Sequence, residues 1–189
     1  MAEFINVTKK YGDNTVFDNF SLSLKKGSKT IIMGESGCGK TTLLRIAAGL
    51  TRPDAGEFVH EGGIAVMFQE PRLLPWKTAL QNVCAVLPKD KRGLAHKYLA
   101  AVGLDGDGDK LPCSLSGGMA QRVALARFFA FAEANDCDLL LLDEPFSALD
   151  DVTAGKMIEL LHSFTVGKTV LMVTHRSADT SFADNVISL

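Results

Sequence analysis

The sequence has little net charge and no long apolar run. Its 20 Lys and Arg residues nearly balance 22 Asp and Glu residues, which leaves a formal net charge of −2. Proteins that bind nucleic acid through its phosphates usually carry a basic surface, so we expect no nucleic-acid partner. No apolar stretch approaches the ~20 residues that span a bilayer. The N-terminus lacks the charged and apolar regions of a signal peptide, so we expect a cytoplasmic protein.

The four cysteines are too scattered for a disulfide framework or a zinc site. They form no CxxC pair, and no histidine stands at metal-ligand spacing from them. We therefore expect reduced thiols at Cys38, Cys84, Cys113 and Cys137.

No linker, repeat or low-complexity segment divides the 189 residues, and we predict a single domain over 1–189. The first thirty residues alternate in the manner of strands, whereas the period becomes helical between Thr78 and about Phe131. The last third alternates strands with helices, which favours a largely parallel sheet with helices on its faces. The predicted helices cover 78–87, 91–102, 117–131, 152–162 and 178–183, and the predicted late strands cover 138–142, 169–173 and 185–189.

A glycine-rich loop over 34–41 follows a strand-like run, Lys29–Met33, and opens a helix-like stretch. This order is the context that the P-loop pattern GxxxxGK[ST] requires. Glycines allow successive backbone N–H groups to point at phosphate oxygens, and the helix N-terminus adds further donors. Lys40 is predicted to reach the β- and γ-phosphates of a nucleoside triphosphate, and the Thr41 hydroxyl to bind Mg²⁺.

Two acids end a second apolar run, Leu139–Leu142, whose four leucines are typical of a strand buried on both faces. Open α/β sheets bind ligands at the carboxyl ends of their strands. There Asp143 can hold Mg²⁺ and Glu144 can orient or deprotonate an attacking water. His175 ends a third strand in the same way and is a candidate only in the company of the other sites.

The segment Leu115–Arg127 combines a Ser N-cap, two glycines and a helix that we predict to be amphipathic. It resembles the LSGGQ-like signature of the ATP-binding-cassette (ABC) ATPases, and the resemblance covers the whole chain, motif by motif. It implies an α/β fold with a P-loop NTPase core and a mostly parallel sheet. It also implies an N-terminal antiparallel β subdomain and an inserted helical subdomain over about 72–131.

The resemblance assigns a role to each matching residue. Glu144 is the catalytic glutamate, His175 the switch histidine, and Gln69 the glutamine that contacts Mg²⁺ and water, with Lys40 as the fourth catalytic residue. The predicted metal ligands are Thr41, Gln69 and Asp143. The predicted ATP-binding residues are Tyr11 (stacked on adenine), Gly34, Glu35, Ser36, Gly37, Cys38, Gly39, Lys40, Thr41, Thr42, Ser116, Gly117 and Gly118.

The same resemblance implies a head-to-tail homodimer that encloses ATP and Mg²⁺. Phe68–Trp76 is similar to importer ATPases of the nitrate, sulfonate and taurine type, in which Leu73, Leu74 and Trp76 would form an apolar seat for a permease. The expected partners are transmembrane permease subunits with a separate solute-binding protein. These partners would place the chain on the inner face of the cell membrane.

Two alternatives stay open from the sequence. One is a non-transport ABC ATPase that acts on a membrane scaffold in cell division or signalling, and the other is a nucleotide sensor without catalysis. Arg176 follows His175 where an acidic residue is commoner in the family. The chain ends at Leu189, where many relatives carry a further helical tail, so we expect either a compact cassette or one that lacks part of the domain.

Overall fold

The computed structural model describes residues 2–35 and 37–189, apart from the side chain of Ala178. The described residues cluster into two compact units. The sheet unit comprises the residues up to Val66, Asp138–Glu144 and Thr165–Leu189. The helical unit comprises Met67–Cys137 and Pro145–Phe164. The predicted single domain over 1–189 and its helical subdomain over 72–131 stay predictions.

Two sheets are built on the chain. The antiparallel sheet has the order β2-β1-β4, with β1 at Ala2–Tyr11, β2 at Asn14–Leu24 and β4 at Ala55–His60. The second sheet has the order β5-β6-β7-β3-β8. Its strands are β3 at Lys29–Met33, β5 at Ile64–Met67, β6 at Leu139–Asp143, β7 at Thr169–Val173 and β8 at Asn185–Ser188. The pairings of β6 with β7, β7 with β3 and β3 with β8 are parallel, as the alternation of strands and helices predicted.

The core of the sheet unit explains why β3, β6 and β7 read as short apolar runs without alternation. All five residues of β6 and all five of β7 are buried, as expected of central parallel strands. Phe4 and Leu24 from the antiparallel sheet join Ile32, Leu141 and Leu171 in one apolar cluster. Helix α1, Lys40–Ala47, adds its apolar face to this cluster. The carboxyl ends of β3, β6 and β7 therefore stand on a rigid base.

The helical unit contains α2 at Ala79–Cys84, α3 at Gly93–Ala101, α4 at Gly117–Ala134 and α5 at Asp151–Phe164. Its rings pack closely: the Phe129 ring centroid lies 5.6 Å from that of Tyr98 and 4.8 Å from that of Phe164. Gln121 on α4 is buried and donates through Nε2 to Pro145 O at 2.9 Å. Both residues belong to the helical unit, so this bond holds α4 to the segment that begins at Pro145.

Several predicted elements differ from the structure in extent or type. Helix α2 begins at Ala79, after a capping box formed by Thr78 and Gln81, and it ends at Cys84, before the predicted end at 87. The predicted helix over 91–102 begins later, since Lys89–Lys91 is a 3-10 turn. The predicted helix over 178–183 is a 3-10 helix, Ser177–Phe182. Helix α4 is also not amphipathic, because consecutive residues such as Val123–Ala126 are buried around its circumference.

Candidate nucleotide-binding site

The phosphate loop joins the buried strand β3 to helix α1 within the sheet unit. Gly37 and Gly39 adopt φ values of 87° and 105°, a region that side chains with a Cβ rarely enter. Gly39 stands at the N-cap of α1 and has no side chain that could cap the helix, whose first N–H groups have no partner within the helix itself. Free N–H donors at a helix start attract anions. The predicted residue Ser36 lies outside the described residues.

Close packing explains two of the glycines. A Cβ on Gly39 would lie 2.5 Å from Val16 Cγ1 and 2.9 Å from Phe17 Cζ, both on β2. A Cβ on Gly34 would lie 2.9 Å from Leu189 O. Loop and neighbouring strands therefore approach each other to a distance that only glycine allows.

The Lys40 ammonium is held against the loop itself. Its Nζ donates to Gly34 O at 2.8 Å and to Glu35 O at 2.6 Å, and it lies 3.6 Å from Cys38 Sγ. The positive charge thus sits beside the N-terminus of α1, where both favour a phosphate group. The described residues contain no disulfide, and the reduced state of Cys38, Cys84, Cys113 and Cys137 stays a prediction.

Asp143 is the last residue of β6 and is almost fully buried. Burial raises the pKa of its carboxyl, and the neighbouring Glu144 raises it further. A hydrogen bond from the Thr41 side chain opposes this rise, as do the charges of Arg45 and Lys40. The site therefore holds a carboxylate whose charge is poorly solvated and which shares a hydrogen bond with the Thr41 hydroxyl of the phosphate loop. A cation at this position would relieve the cost of burying that charge.

Glu144 lies directly after β6 with a φ of 47°, a strained value for a residue other than glycine. Its backbone N–H donates to Val173 O at 2.9 Å, which links the ends of β6 and β7. Its Oε1 lies 2.8 Å from Nδ1 of His175, so the two side chains share a hydrogen bond. The Glu144 side chain is 10% exposed, whereas the His175 side chain is 64% exposed. Strained residues of this kind cluster at functional sites.

The structure therefore brings together five predicted site residues at one edge of the sheet unit: Lys40, Thr41, Asp143, Glu144 and His175. They come from three separate stretches of sequence. The order of the parallel strands explains why, since β3, β6 and β7 are neighbours in the sheet and all end at the same edge.

Sequence reasoning missed one residue of this region, Asp179. It is fully buried, and its Oδ2 accepts a hydrogen bond from Thr174 Oγ1 at 2.6 Å. Its Oδ1 lies 3.6 Å from Arg176 Nε. Burial raises the pKa of its carboxyl, while the Thr174 bond and the Arg176 charge lower it. The available signal was an acidic residue four positions after a candidate histidine, in a segment whose sequence predicts an ordinary short helix.

Tyr11 also lies in the sheet unit, at the end of β1, with its side chain about half exposed. Lys9 Nζ lies 5.2 Å from the centroid of its ring and 3.0 Å from Asp54 Oδ1. The backbone N–H of Lys10 donates to the other oxygen of Asp54 at 2.6 Å. These contacts fix the strand around an exposed ring, and the role of that ring in adenine stacking stays a prediction.

The remaining predicted site residues belong to the helical unit. Gln69 is exposed just after β5. Ser116 is the N-cap of α4, and its Oγ accepts from the backbone N–H of Met119 at 3.2 Å. Gly117 begins the helix, and a Cβ on Gly118 would lie 3.2 Å from Ala148 O. Their part in nucleotide binding stays a prediction.

Side-chain hydrogen bonds hold the backbone of the segment after Gln69, which contains the predicted apolar seat. Arg127 donates to Pro71 O at 2.6 Å and to Arg72 O at 3.0 Å. Asn82 accepts from the backbone N–H of Leu74 and donates to Leu74 O. Trp76 is 72% exposed, whereas Leu73 and Leu74 are partly buried. A rigid backbone thus presents one large exposed ring.

Two features are absent from the part of the chain that the structure describes. None of its helices has the length and apolarity needed to cross a membrane. It contains no group of three or more His, Cys, Asp or Glu side chains placed to hold a metal ion.

The comparison with family models decides the class. The model described as "ABC transporter" matches residues 17–147, which include the phosphate loop, Ser116 and Glu144. The chain belongs to this family. As a member it binds and hydrolyses ATP, so the predicted family, α/β fold and ATPase activity are confirmed.

Curated relatives and solved structures support the same conclusion. The chain is 45% identical over 186 residues to the aliphatic sulfonates import ATP-binding protein SsuB 1 of Nocardia farcinica. The alignment covers 96% of this chain and 74% of that protein. It is 46% identical over 181 residues to the protein of the same name from Burkholderia cenocepacia, which covers 89% of this chain and 54% of that protein. The structure of the dimeric ATP-binding cassette MJ0796 bound to ADP and Pi matches with a TM-score of 0.89 and 33% identity, over 100% of this chain and 94% of that one.

Proposed function

We propose that this chain is the ATP-hydrolysing subunit of a bacterial importer of a small solute. The observation that carries the proposal is the Glu144–His175 pair beside the phosphate loop. A nucleotide sensor without catalysis has no need of a strained, buried glutamate held by a histidine at the end of β6. The names of the relatives support import, and they do not favour the alternative of an ATPase acting on a membrane scaffold.

Mg²⁺ fits the donors that the sheet unit provides. Asp143 and Thr41 already share a hydrogen bond, and both offer the oxygen atoms that Mg²⁺ prefers. The buried carboxylate also has too little solvent to stabilise its charge alone, which favours a cation nearby. When bound with ATP, Mg²⁺ would neutralise charge on the phosphates. We assign its protein ligands to Thr41 and Asp143 and propose Gln69 as a third on the resemblance alone.

Hydrolysis would rest on placement and charge. Lys40 binds the phosphate oxygens in exchange for the carbonyls of Gly34 and Glu35. Glu144 orients a water and accepts its proton as the water oxygen bonds to the γ-phosphorus and the bond to the β–γ bridging oxygen breaks, which releases ADP and phosphate. His175 keeps the Glu144 carboxylate in a single orientation and donates to the transferring group.

The remaining predicted residues would complete the ATP site, three of them through the dimer that family membership implies. We propose that Tyr11 stacks on adenine, a contact that contributes roughly 1–3 kcal/mol per base. Gly34, Glu35, Ser36, Gly37, Cys38, Gly39 and Thr42 would complete the phosphate loop. Ser116, Gly117 and Gly118 of one protomer would close over the ATP of its partner, with the two chains head to tail. The dimeric relative structures support this arrangement.

We propose that the chain works as one domain on the cytoplasmic side of the membrane, bound to permease subunits that receive solute from a separate binding protein. The segment that Arg127 and Asn82 clamp, with Trp76 exposed upon it, supports a permease contact. The relatives' names make an aliphatic sulfonate the first solute to test.

The test is phosphate release by a Glu144→Gln variant. This change keeps the shape of the side chain but removes the group that accepts the proton, so we expect turnover to fall by more than about 100-fold while ATP binding is retained. Glu159→Gln on the exposed face of α5 is the matched control and should hydrolyse ATP at the parent rate. Undiminished turnover in Glu144→Gln would overturn the proposal.

A further inference from the structure

The surroundings of His175 contain a buried carboxylate that the reaction described above does not use. The His175 side chain is largely exposed, and its ring shares a hydrogen bond with Glu144. An exposed ring with so little side-chain packing depends on its backbone for its position. The residues on either side of it, Thr174 and Arg176, therefore decide where the ring can reach.

Asp179 touches both of these residues. Thr174 Oγ1 donates to Asp179 Oδ2 at 2.6 Å and accepts from the backbone N–H of Arg176 at 3.1 Å. The Arg176 guanidinium lies 3.6 Å from Asp179 Oδ1, and the Asp179 N–H donates to Arg176 O at 3.1 Å. The Asp179 carboxylate thus connects Thr174 and Arg176, the two residues on either side of His175.

Thr174 also connects this set of contacts to the sheet. Thr174 continues from β7, and its backbone N–H donates to Ile32 O of β3 at 3.2 Å. Asp179 therefore connects the loop after His175 to the strand that leads into the phosphate loop. The contact also accounts for Arg176, since its positive charge is directed at Asp179.

A buried carboxylate is costly unless its partners require it. Asp179 is fully buried, and an apolar side chain would fill its position in the 3-10 helix at less cost. The cost indicates a purpose other than stability. The charge of Asp179 is also close enough to Glu144 and His175 to interact with both.

We propose that Asp179 is a positioning residue for ATP hydrolysis: its carboxylate joins Thr174 to Arg176 and so holds the His175 ring against Glu144. The inference rests on the proposed function, because it assigns Asp179 to the same reaction. Asp179 does not touch the nucleotide. Its loss should therefore reduce kcat and leave the KM for ATP nearly unchanged.

The experiment combines turnover with a spectroscopic measurement on the full chain. Asp179→Ala removes the carboxylate, and Thr174→Val removes the hydroxyl that binds it while keeping the shape of the side chain. We expect each variant to lose about 10- to 100-fold in kcat, the range that small displacements of catalytic groups produce. Asp179→Glu should recover part of the loss, because it restores a carboxylate.

Nitrogen-15 spectra of the imidazoles provide a readout that does not depend on activity. The chain has four histidines, and the His175 signals can be assigned by their loss in His175→Ala. We expect the parent to show a hydrogen-bonded Nδ1, and Asp179→Ala and Thr174→Val to show a ring that exchanges between tautomers. Asp184→Asn is the control, since Asp184 accepts from the backbone N–H of Lys29 at 2.8 Å at the opposite end of β3. It should change neither readout.

The outcomes separate the two proposals. Lower thermal stability in Asp179→Ala, with parental kcat and parental His175 spectra in both variants, would show that Asp179 is only structural and would overturn the inference. If Asp179→Ala fails to fold, Thr174→Val alone decides the question by the same readouts. Undiminished turnover in Glu144→Gln would instead overturn the proposed reaction itself.

Discussion

The sheet unit and the helical unit use their buried polar groups in opposite ways. In the sheet unit, Asp143, Glu144 and Asp179 are buried carboxylates at or just beyond strand ends, and burial raises the pKa of Asp143 and Asp179. In the helical unit, the side chains of Arg127 and Asn82 donate hydrogen bonds to backbone carbonyls and hold a surface segment in place. The buried carboxylates of the sheet unit are suited to catalysis, whereas the polar side chains of the helical unit hold a surface that is suited to recognition.

The difference also appears in the glycines. Gly39 is required by its positive φ and by contact with Val16, whereas Gly155 in α5 has open space around its Cβ position. A substitution at the first position should therefore damage the site, and the same substitution at the second should not. The three predictions below use such pairs to test whether the units are as distinct as the contacts indicate.

The largest effect is expected from Gly39→Ala. The alanine backbone must adopt an unfavourable φ, and its Cβ would lie 2.5 Å from Val16 Cγ1 of β2. The free energy of unfolding should therefore fall by about 2–4 kcal/mol, and ATP binding should be lost. Urea unfolding and ATP titration calorimetry measure both quantities. Gly155→Ala is the control and should raise stability by up to about 1 kcal/mol, since alanine is the better helix former. Parental ATP affinity in Gly39→Ala would contradict the role of the loop.

An intermediate effect is expected from Arg127→Met in the helical unit. The pKa of the Arg127 guanidinium is lowered by burial, and its two bonds to Pro71 and Arg72 hold the segment before Trp76. Their loss should reduce the free energy of unfolding by about 2 kcal/mol, with ATP affinity unchanged. Arg92→Met, at an exposed position, should change neither. A large loss of ATP affinity in Arg127→Met would show that the two units are not separable in function.

The smallest effect is expected from Asp143→Asn, and its sign is opposite. Because burial raises the pKa of Asp143 above its ordinary value of 3.8, the folded protein retains this proton to a higher pH than the unfolded chain does. Stability due to this group therefore falls as the pH rises from about 4 through the raised pKa. Without nucleotide, Asp143→Asn should be more stable than the parent by about 1 kcal/mol at pH 7, and by less at pH 4.

Thermal unfolding at the two pH values measures this difference, and Asp13→Asn in an exposed turn serves as the control. A less stable Asp143→Asn variant at pH 7 would show that the buried charge is not the cost we infer.

Much of the sheet unit could be predicted from sequence because its signals are local. Lys29–Met33 and Thr169–Val173 match β3 and β7 to the residue, since a buried parallel strand reads as an unbroken apolar run. The spacing of the phosphate loop is likewise contained in eight consecutive residues. Tertiary packing set the other boundaries: α4 is buried around its circumference because it is surrounded by protein, which its own sequence does not show.

The Asp179 contact could not be predicted for a different reason. Its meaning depends on a hydrogen bond to Thr174 across a 3-10 turn that local propensity reads as a helix. The Glu144–His175 bond joins residues 31 positions apart, and only the pairing of β6 with β7 brings them together. Single short motifs predicted the candidate residues, and the order of the strands determined which of them meet.

The most direct test of the central claim is the oligomeric state of Glu144→Gln in the presence of ATP and Mg²⁺. A site completed by Ser116 of a partner chain requires that nucleotide binding and pairing occur together. Sedimentation velocity should show monomers without nucleotide and dimers with ATP, and a Lys40→Ala change added to the same variant should abolish the dimer. Binding of ATP to chains that stay monomeric at every protein concentration would contradict the claim.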